Sequence, residues 1–101
     1  MKMRWSPQLV LLLAEFMTSP QDWKYGYEMS RNTGLKSGTL YPILMRLADR
    51  GLLETSWEAA EPGKPPRHLY KLTGDGVRFA REQMSSVRNV VRRPELSGVK
   101  S

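Results

Sequence analysis

The stretch GLKSGTLYPILMRLADRG, Gly34 to Gly51, decides the fold of this 101-residue chain. Glycines bound it at either end, and the residues between them read as one amphipathic helix. Leu40, Ile43, Leu44 and Leu47 recur at i, i+3, i+4 and i+7, so one face is apolar and calls for burial. The rest of the surface carries Lys36, Ser37, Thr39, Tyr41, Met45, Arg46 and Arg50. Hydroxyls, a phenol and cations suit phosphate oxygens and base edges. Ser37 or Thr39 is the expected N-cap, which puts Pro42 in or near the first turn, where a missing amide does least damage. Helix N-termini with free amides also attract phosphate.

Working outward, the flanks supply what such a helix needs. Upstream, Ser6-Pro7 is a capped helix opening, and Leu9 to Leu13 with Phe16 and Met17 are apolar on nearly every side. Thr18, Ser19 and Pro20 stop that helix, Gln21 to Lys24 form a connection, and Tyr25 to Arg31 read as a short second helix ending by Gly34. A short helix, a glycine-bearing turn and an amphipathic helix make a helix-turn-helix. Downstream, Leu53, Thr55 and Trp57 alternate with Glu54, Ser56 and Glu58, the period of a half-buried strand. A proline-rich loop, AAEPGKPP over 59–66, leads to a second strand, RHLYKLT over 67–73. The loop and second strand of the resulting hairpin carry Lys64, Arg67 and Lys71 against one acid, Glu61, and the prolines reduce the entropy lost on docking.

Thr73 is the expected cap of a last helix whose first turn Gly74 and Gly76 weaken. Val77, Ala80, Met84, Val87 and Val91 form a heptad seam about two repeats long. Residues 77–93 hold five arginines against Glu82 alone, and Pro94 is expected to end the helix. The organisation is therefore a mainly α fold with a small β-hairpin. A winged helix-turn-helix occupies 1–73, a C-terminal dimerisation helix 74–93 and a flexible tail 94–101.

Sixteen Lys and Arg against ten Asp and Glu give a net charge of +6, which favours a polyanionic partner, nucleic acid before an anionic membrane. There is no cysteine, so disulfides and thiolate metal sites are excluded and nothing implies secretion. The opening MKMRWSPQLVLLLAEFM faintly resembles a signal peptide. Its apolar run is too short for that or for a bilayer span, and it reads as a buried helix of a cytoplasmic protein. Carboxylates show no paired or metal-ligand spacing. His68, the only histidine, reads as a surface, core or dimer contact before an active-site group. No enzyme activity, metal or cofactor is expected.

The order helix, helix, turn, helix, strand, basic loop, strand, helix describes a winged helix, and its residues resemble the PadR family of bacterial transcriptional regulators. The resemblance rests on Tyr25-Gly26-Tyr27-Glu28, on 34–44 (GLKSGTLYPIL), on Arg46-Leu47 and on 50–53 (RGLL). It continues through 63–67 (GKPPR) and 70–73 (YKLT), covering most of residues 7 to 80. It implies a homodimer that binds a palindromic operator in double-stranded DNA and usually represses. Ser37, Thr39 and Tyr41 would then face DNA, with Lys36 and Arg46 on phosphates. Gly63, Lys64 and Arg67 would form the wing, and Tyr25 and Tyr27 would lie near the DNA backbone. Tyr41 has a second reading, a half-buried tyrosine bonded within its own protein, and Met45 is either packing or a thymine-methyl contact.

The short C-terminal region is similar to the family's small subgroup, which implies dimerisation through the first and last helices. The expected interface is Leu9, Leu12, Leu13 and Phe16 with Val77, Ala80, Met84, Val87 and Val91. Some small members take planar hydrophobic ligands between subunits. A small hydrophobic effector is thus a further partner, although Phe79 is the only aromatic residue after Tyr70. The chain has Gly74-Asp75-Gly76 where the family often reads P-E-G, a change expected to bear on helix stability. The rival to DNA binding is a winged helix used only for protein interaction.

Overall fold

A computed structural model describes residues 6–59 and 61–99, the side chains of 87–99 excepted. The elements run α1 (Pro7–Met17), β1 (Lys24–Tyr25), α2 (Gly26–Thr33), α3 (Ser37–Asp49), β2 (Leu53–Glu58), β3 (Arg67–Leu72) and α4 (Gly74–Val99). The sheet has the order β1-β3-β2 and is antiparallel throughout. This is the winged helix-turn-helix that the spacing implies, with one strand more than the hairpin. Lys24 and Tyr25, expected in a connection and a helix, instead pair with Tyr70 and Leu69 on the free edge of β3.

Local chemistry accounts for most boundaries. Ser6 Oγ accepts from the Leu9 amide at 3.1 Å, with Pro7 in the first turn of α1. Gly34, at φ 78°, ends α2 in the left-handed conformation. The turn after it is fastened by side chains. Ser30 Oγ donates to the Leu35 carbonyl at 2.6 Å, and Thr33 Oγ1 accepts from the Leu35 amide at 3.1 Å. Asn32 Nδ2 donates to Glu15 Oε2 at 2.8 Å and so ties α2 to α1.

Two helix ends differ from expectation. Lys36 occupies the N-cap of α3 and makes no side-chain cap bond, so neither Ser37 nor Thr39 caps it. Pro42 therefore lies in the helix interior, where it leaves the Gly38 carbonyl without its amide partner. Burial of Leu40, Ile43, Leu44 and Leu47 holds the helix in spite of this; each such side chain contributes about 1.5–3 kcal/mol. At the other end of the chain, α4 runs through Pro94 to Val99, so it extends past the expected boundary at 93 and into the expected tail. Pro94 forfeits one backbone donor without stopping the helix.

The core joins α1, α2, α3, the wing root and α4 through Leu9, Leu12, Phe16, Met29, Leu44, Leu72 and Ala80, among others. Thr73 caps α4 as expected, accepting from the Gly76 amide at 2.9 Å while its hydroxyl donates to the Gly51 carbonyl at 2.8 Å. Gly76 has a role that composition hides. A Cβ there would overlap the Leu52 carbonyl oxygen, which is backbone and cannot rotate away, whereas a Cβ on Gly74 would meet open space. Gly76→Ala is therefore expected to destabilise the fold by about 1–3 kcal/mol through overpacking. Gly74→Ala should be neutral or mildly stabilising, because it only stiffens the unfolded chain. Urea midpoints for the two variants check the contrast.

Candidate nucleic-acid interface

α3 offers one buried and one open face. Lys36, Ser37, Gly38, Thr39, Pro42, Met45 and Arg46 are exposed, whereas Tyr41 is half-buried and packs against the core. The two readings of Met45 separate cleanly, since its side chain is 63% exposed and fills no gap in the protomer. For Tyr41 the geometry goes the other way. Its ring lies so close to Gly26 that a Cβ on that glycine would stand 2.5 Å from the phenolic oxygen. The start of α2 is thus shaped to receive the Tyr41 ring, and only the ring's outer side faces the open cleft beside it.

The wing is built from two faces of one hairpin. Leu53, Thr55 and Trp57 stand opposite Leu72, Tyr70 and His68. At the root this face is core, with Leu53, Tyr70 and Leu72 buried. Further out the strands outrun the helices beneath them, Thr55 is exposed, and Trp57 is 63% exposed instead of half-buried. Trp57 stacks on His68 at 4.1 Å and 13°, and His68 meets Tyr70 at 4.3 Å, so the face continues outward as an aromatic ladder. Sequence alternation located the face but carried no information on where its cover ends.

The opposite face is electrostatic. Glu58 stands across from Arg67, and their charged groups approach to 3.7 Å. Glu58 also accepts from the Tyr25 hydroxyl at 2.7 Å, which holds the Tyr25 phenol above its ordinary 10.0. The Arg67 guanidinium lies over the rings of Tyr25 and Tyr27, at 5.6 and 5.9 Å from their centroids. Lys64, beside Gly63 at the wing turn, pairs with Glu61 at 3.3 Å. Tyr25, Tyr27, Lys64 and Arg67 are thereby gathered at one end of the molecule. Lys71 lies over Trp23 instead.

Between the wing and the helix-turn-helix lies a cleft of about 500 Å³, bordered by Gly26, Tyr27, Tyr41, Trp57 and residues 64–68. Of the expected interface residues, Tyr27, Tyr41, Lys64 and Arg67 meet around it. Lys36, Ser37, Thr39 and Arg46 lie on the open surface of α3. Trp57 and Gly26 belong to the same surface and were missed by sequence reasoning.

The expected dimer residues on α1 need correction. Leu9, Leu12, Leu13 and Phe16 are no more than 2% exposed within a single chain, as is Ala80. They are spent on the protomer's own core and have no surface to give a second copy. An all-round apolar helix looks the same in sequence whether its cover comes from its own chain or another. Leu11, 48% exposed, is the apolar residue that α1 leaves open. On α4, Val77 and Met84 are half-buried, while the side chains of Val87 and Val91 lie outside the described residues.

A family model described as the transcriptional regulator PadR-like family matches residues 20–82, more than half of the chain. A PadR family regulator from Eggerthella lenta DSM 2243 superposes with a TM-score of 0.74 at 25% identity, over 91% of this chain and 84% of that one. A PadR-like transcription factor from Bacteroides fragilis superposes with a TM-score of 0.69 at 27% identity, over 87% of this chain and 89% of its own. A PadR family regulator from Clostridium difficile R20291, at 23% identity and TM-score 0.71 over 90% and 99% of the two chains, shares the fold. A search of curated protein sequences finds no match.

His68 gives the wing a pH signature. Burial pulls its pKa below the ordinary 6.5, and Nδ1 lies 2.8 Å from the hydroxyl of Tyr70, whose own pKa burial pushes up to about 12. Below pH 6.5 the unfolded chain takes a proton that the folded chain resists, so stability falls as the pH drops from 6.5 through the folded value. Urea midpoints measured between pH 7.5 and 5 should decline in that window, and His68→Gln should flatten the decline.

Proposed function

The chain belongs to the PadR-like family of transcriptional regulators, and on that premise we propose that it is a sequence-specific repressor acting as a homodimer on a palindromic operator. It is a DNA-binding transcription regulator, and the finer reading rests on its own surface. The observation that carries it is the convergence of an open, acid-poor stripe on α3 with a wing that presents Lys64 and Arg67, in a chain of net charge +6. Gly38 and Pro42 keep the first half of that stripe low, so the α3 backbone can approach a base edge closely. Thr39, Met45 and Arg46 are the groups that read the major groove. Lys36, Lys64 and Arg67 meet phosphates, and Tyr27 lies beside them. Tyr41 acts chiefly by holding the start of α3 against Gly26. Action on chromosomal DNA puts the protein in the cytoplasm.

A two-fold dimer sets two α3 helices about 34–36 Å apart, one turn of duplex. Leu11, Val77 and Met84, continued in sequence by Val87 and Val91, are the contacts we assign to it in place of the buried α1 leucines. A small effector would act by favouring one inter-helix spacing over another.

Fluorescence anisotropy against duplex DNA from upstream of the protein's own gene, with a scrambled duplex alongside at about 150 mM salt, tests the reading. A preference of about a thousandfold or more is expected. Lys64→Ala should weaken both duplexes alike and lower the salt slope by about one, whereas Thr39→Ala should erode the preference itself. Glu61→Gln, which releases Lys64, should tighten binding to both by a few-fold. Failure to bind either duplex would overturn the DNA reading and promote a winged helix that serves protein contacts.

A further inference from the structure

The chain has no cysteine, so methionine supplies all of its sulfur chemistry. The described methionines differ sharply in access. Met29 is fully buried in the core, and Met17 and Met84 are half-buried. Met45 alone among them stands open, 63% exposed in the middle of the outward face of α3. The helix leaves its thioether uncovered. Long helical side chains lean toward the N-terminus, over the turns that precede them. In those turns Tyr41 is packed against Gly26, and Pro42 and Gly38 are exposed and short. A Cβ added to Gly38 would meet open space. The neighbour on the other side, Arg46, is exposed as well, so Met45 stands beside groups that face a polyanion.

We propose that Met45 is an oxidation site through which hydrogen peroxide loosens this protein from its operator. The step transfers one oxygen atom and two electrons. The thioether sulfur attacks a peroxide oxygen, the O–O bond breaks and an S–O bond forms. The departing hydroxide takes the proton of the transferred oxygen and leaves as water, so sulfur is oxidised and peroxide is reduced. The product is a sulfoxide, polar and chiral where the thioether was apolar and pliant. An apolar side chain suits the methyl group of thymine, whereas a sulfoxide offers that methyl only an acceptor oxygen. Because Met45 fills no gap in the protomer, the change is confined to the outer face and leaves the core packed. Oxidation of Met29 would instead put a polar group into the core. Sulfoxide reductases reverse the step, with a dithiol oxidised to a disulfide and the oxygen released as water. The effect on DNA rests on the function proposed above, while preferential oxidation of Met45 stands on its exposure alone.

Treatment of the full chain with hydrogen peroxide, followed by peptide mass mapping, tests the site. Met45 should gain one oxygen well before Met17, Met29 and Met84, with the circular dichroism spectrum unchanged. Oxidation of Met45 no faster than of buried Met29 would overturn the site. In the anisotropy assay the oxidised protein should bind the upstream duplex about tenfold or more weakly. Methionine sulfoxide reductases with dithiothreitol should restore the original affinity. Met45→Leu keeps an apolar side chain without sulfur, and whatever its own affinity, peroxide should leave that affinity where it was. Met45→Gln places a polar group at the same point and should be weak from the start, with no further response. Unchanged affinity after complete oxidation of Met45, or a Met45→Leu variant as sensitive as the parent, would overturn the switch. Bound operator should also slow oxidation of Met45 relative to Met84, and equal rates with and without DNA would count against it. A protein oxidised first at Met45 that binds no DNA in either state would retain the oxidation site. That result would remove the function proposed above and the switch that depends on it.

Discussion

The corner at Gly51 and Leu52 sets the position of everything that faces outward. Gly51 turns the chain out of α3 at φ 75°, a conformation other residues adopt at a cost, and its amide still bonds the Ala48 carbonyl at 3.0 Å. The Leu52 amide returns to the Leu47 carbonyl at 2.9 Å, while the Leu52 carbonyl accepts from the Thr73 amide at 3.1 Å. Thr73 then bonds the Gly51 carbonyl with its hydroxyl and caps α4 with the same oxygen. Both peptide groups of the corner are thus paired, and Gly76 admits the Leu52 carbonyl at contact distance. The end of α3, both roots of the wing and the start of α4 share this one junction. Wing and α3 therefore cannot shift relative to one another without opening backbone bonds.

This explains which features the amino-acid order makes legible. Helices with a seam at i, i+3, i+4 and i+7, the Ser6 and Thr73 caps and the turn at Gly34 are local, and they are where periodicity and capping place them. What escapes is decided at a distance. Lys24 and Tyr25 carry no strand period of their own and become β1 only because the edge of β3 is free to pair. Pro42 sits where a proline should break a helix, and four buried side chains on the same helix outweigh it. Gly76 looks like a weak spot in propensity terms, although its meaning lies in the backbone packed against it, some twenty residues earlier in the chain.

In the candidate site the exposure of the cations and hydroxyls was legible, since charge and exposure go together and Lys36, Ser37, Thr39, Arg46, Lys64 and Arg67 all lie open. Aromatic residues were read less well, because burial is what distinguishes their roles and burial is not written locally. Tyr41 packs where a groove contact was expected. Trp57 protrudes where core was expected. The α1 leucines, expected between subunits, complete the protomer core, since one chain supplies enough apolar surface around α1 to cover them.

The wing's charge arrangement has a further consequence. Two of its cations are each held by a carboxylate, Lys64 by Glu61 and Arg67 by Glu58, and the pairs are exposed. Exposed pairs of this kind contribute only about 0–1 kcal/mol, so replacing a glutamate by a phosphate costs little in lost attraction. What the glutamates supply is order. Arg67 is kept over Tyr25 and Tyr27, and Tyr25 is itself bonded to Glu58, so three elements fix where the guanidinium stands before any anion arrives. A positioned cation loses less freedom on binding than a free one and discriminates better among anions by geometry. The same carboxylates lower the net field at the wing and limit indiscriminate attraction to polyanions. In a chain this basic, acids beside the binding surface serve selectivity, and the aromatic ladder on the other face of the hairpin supplies the rigidity that makes such selectivity geometric.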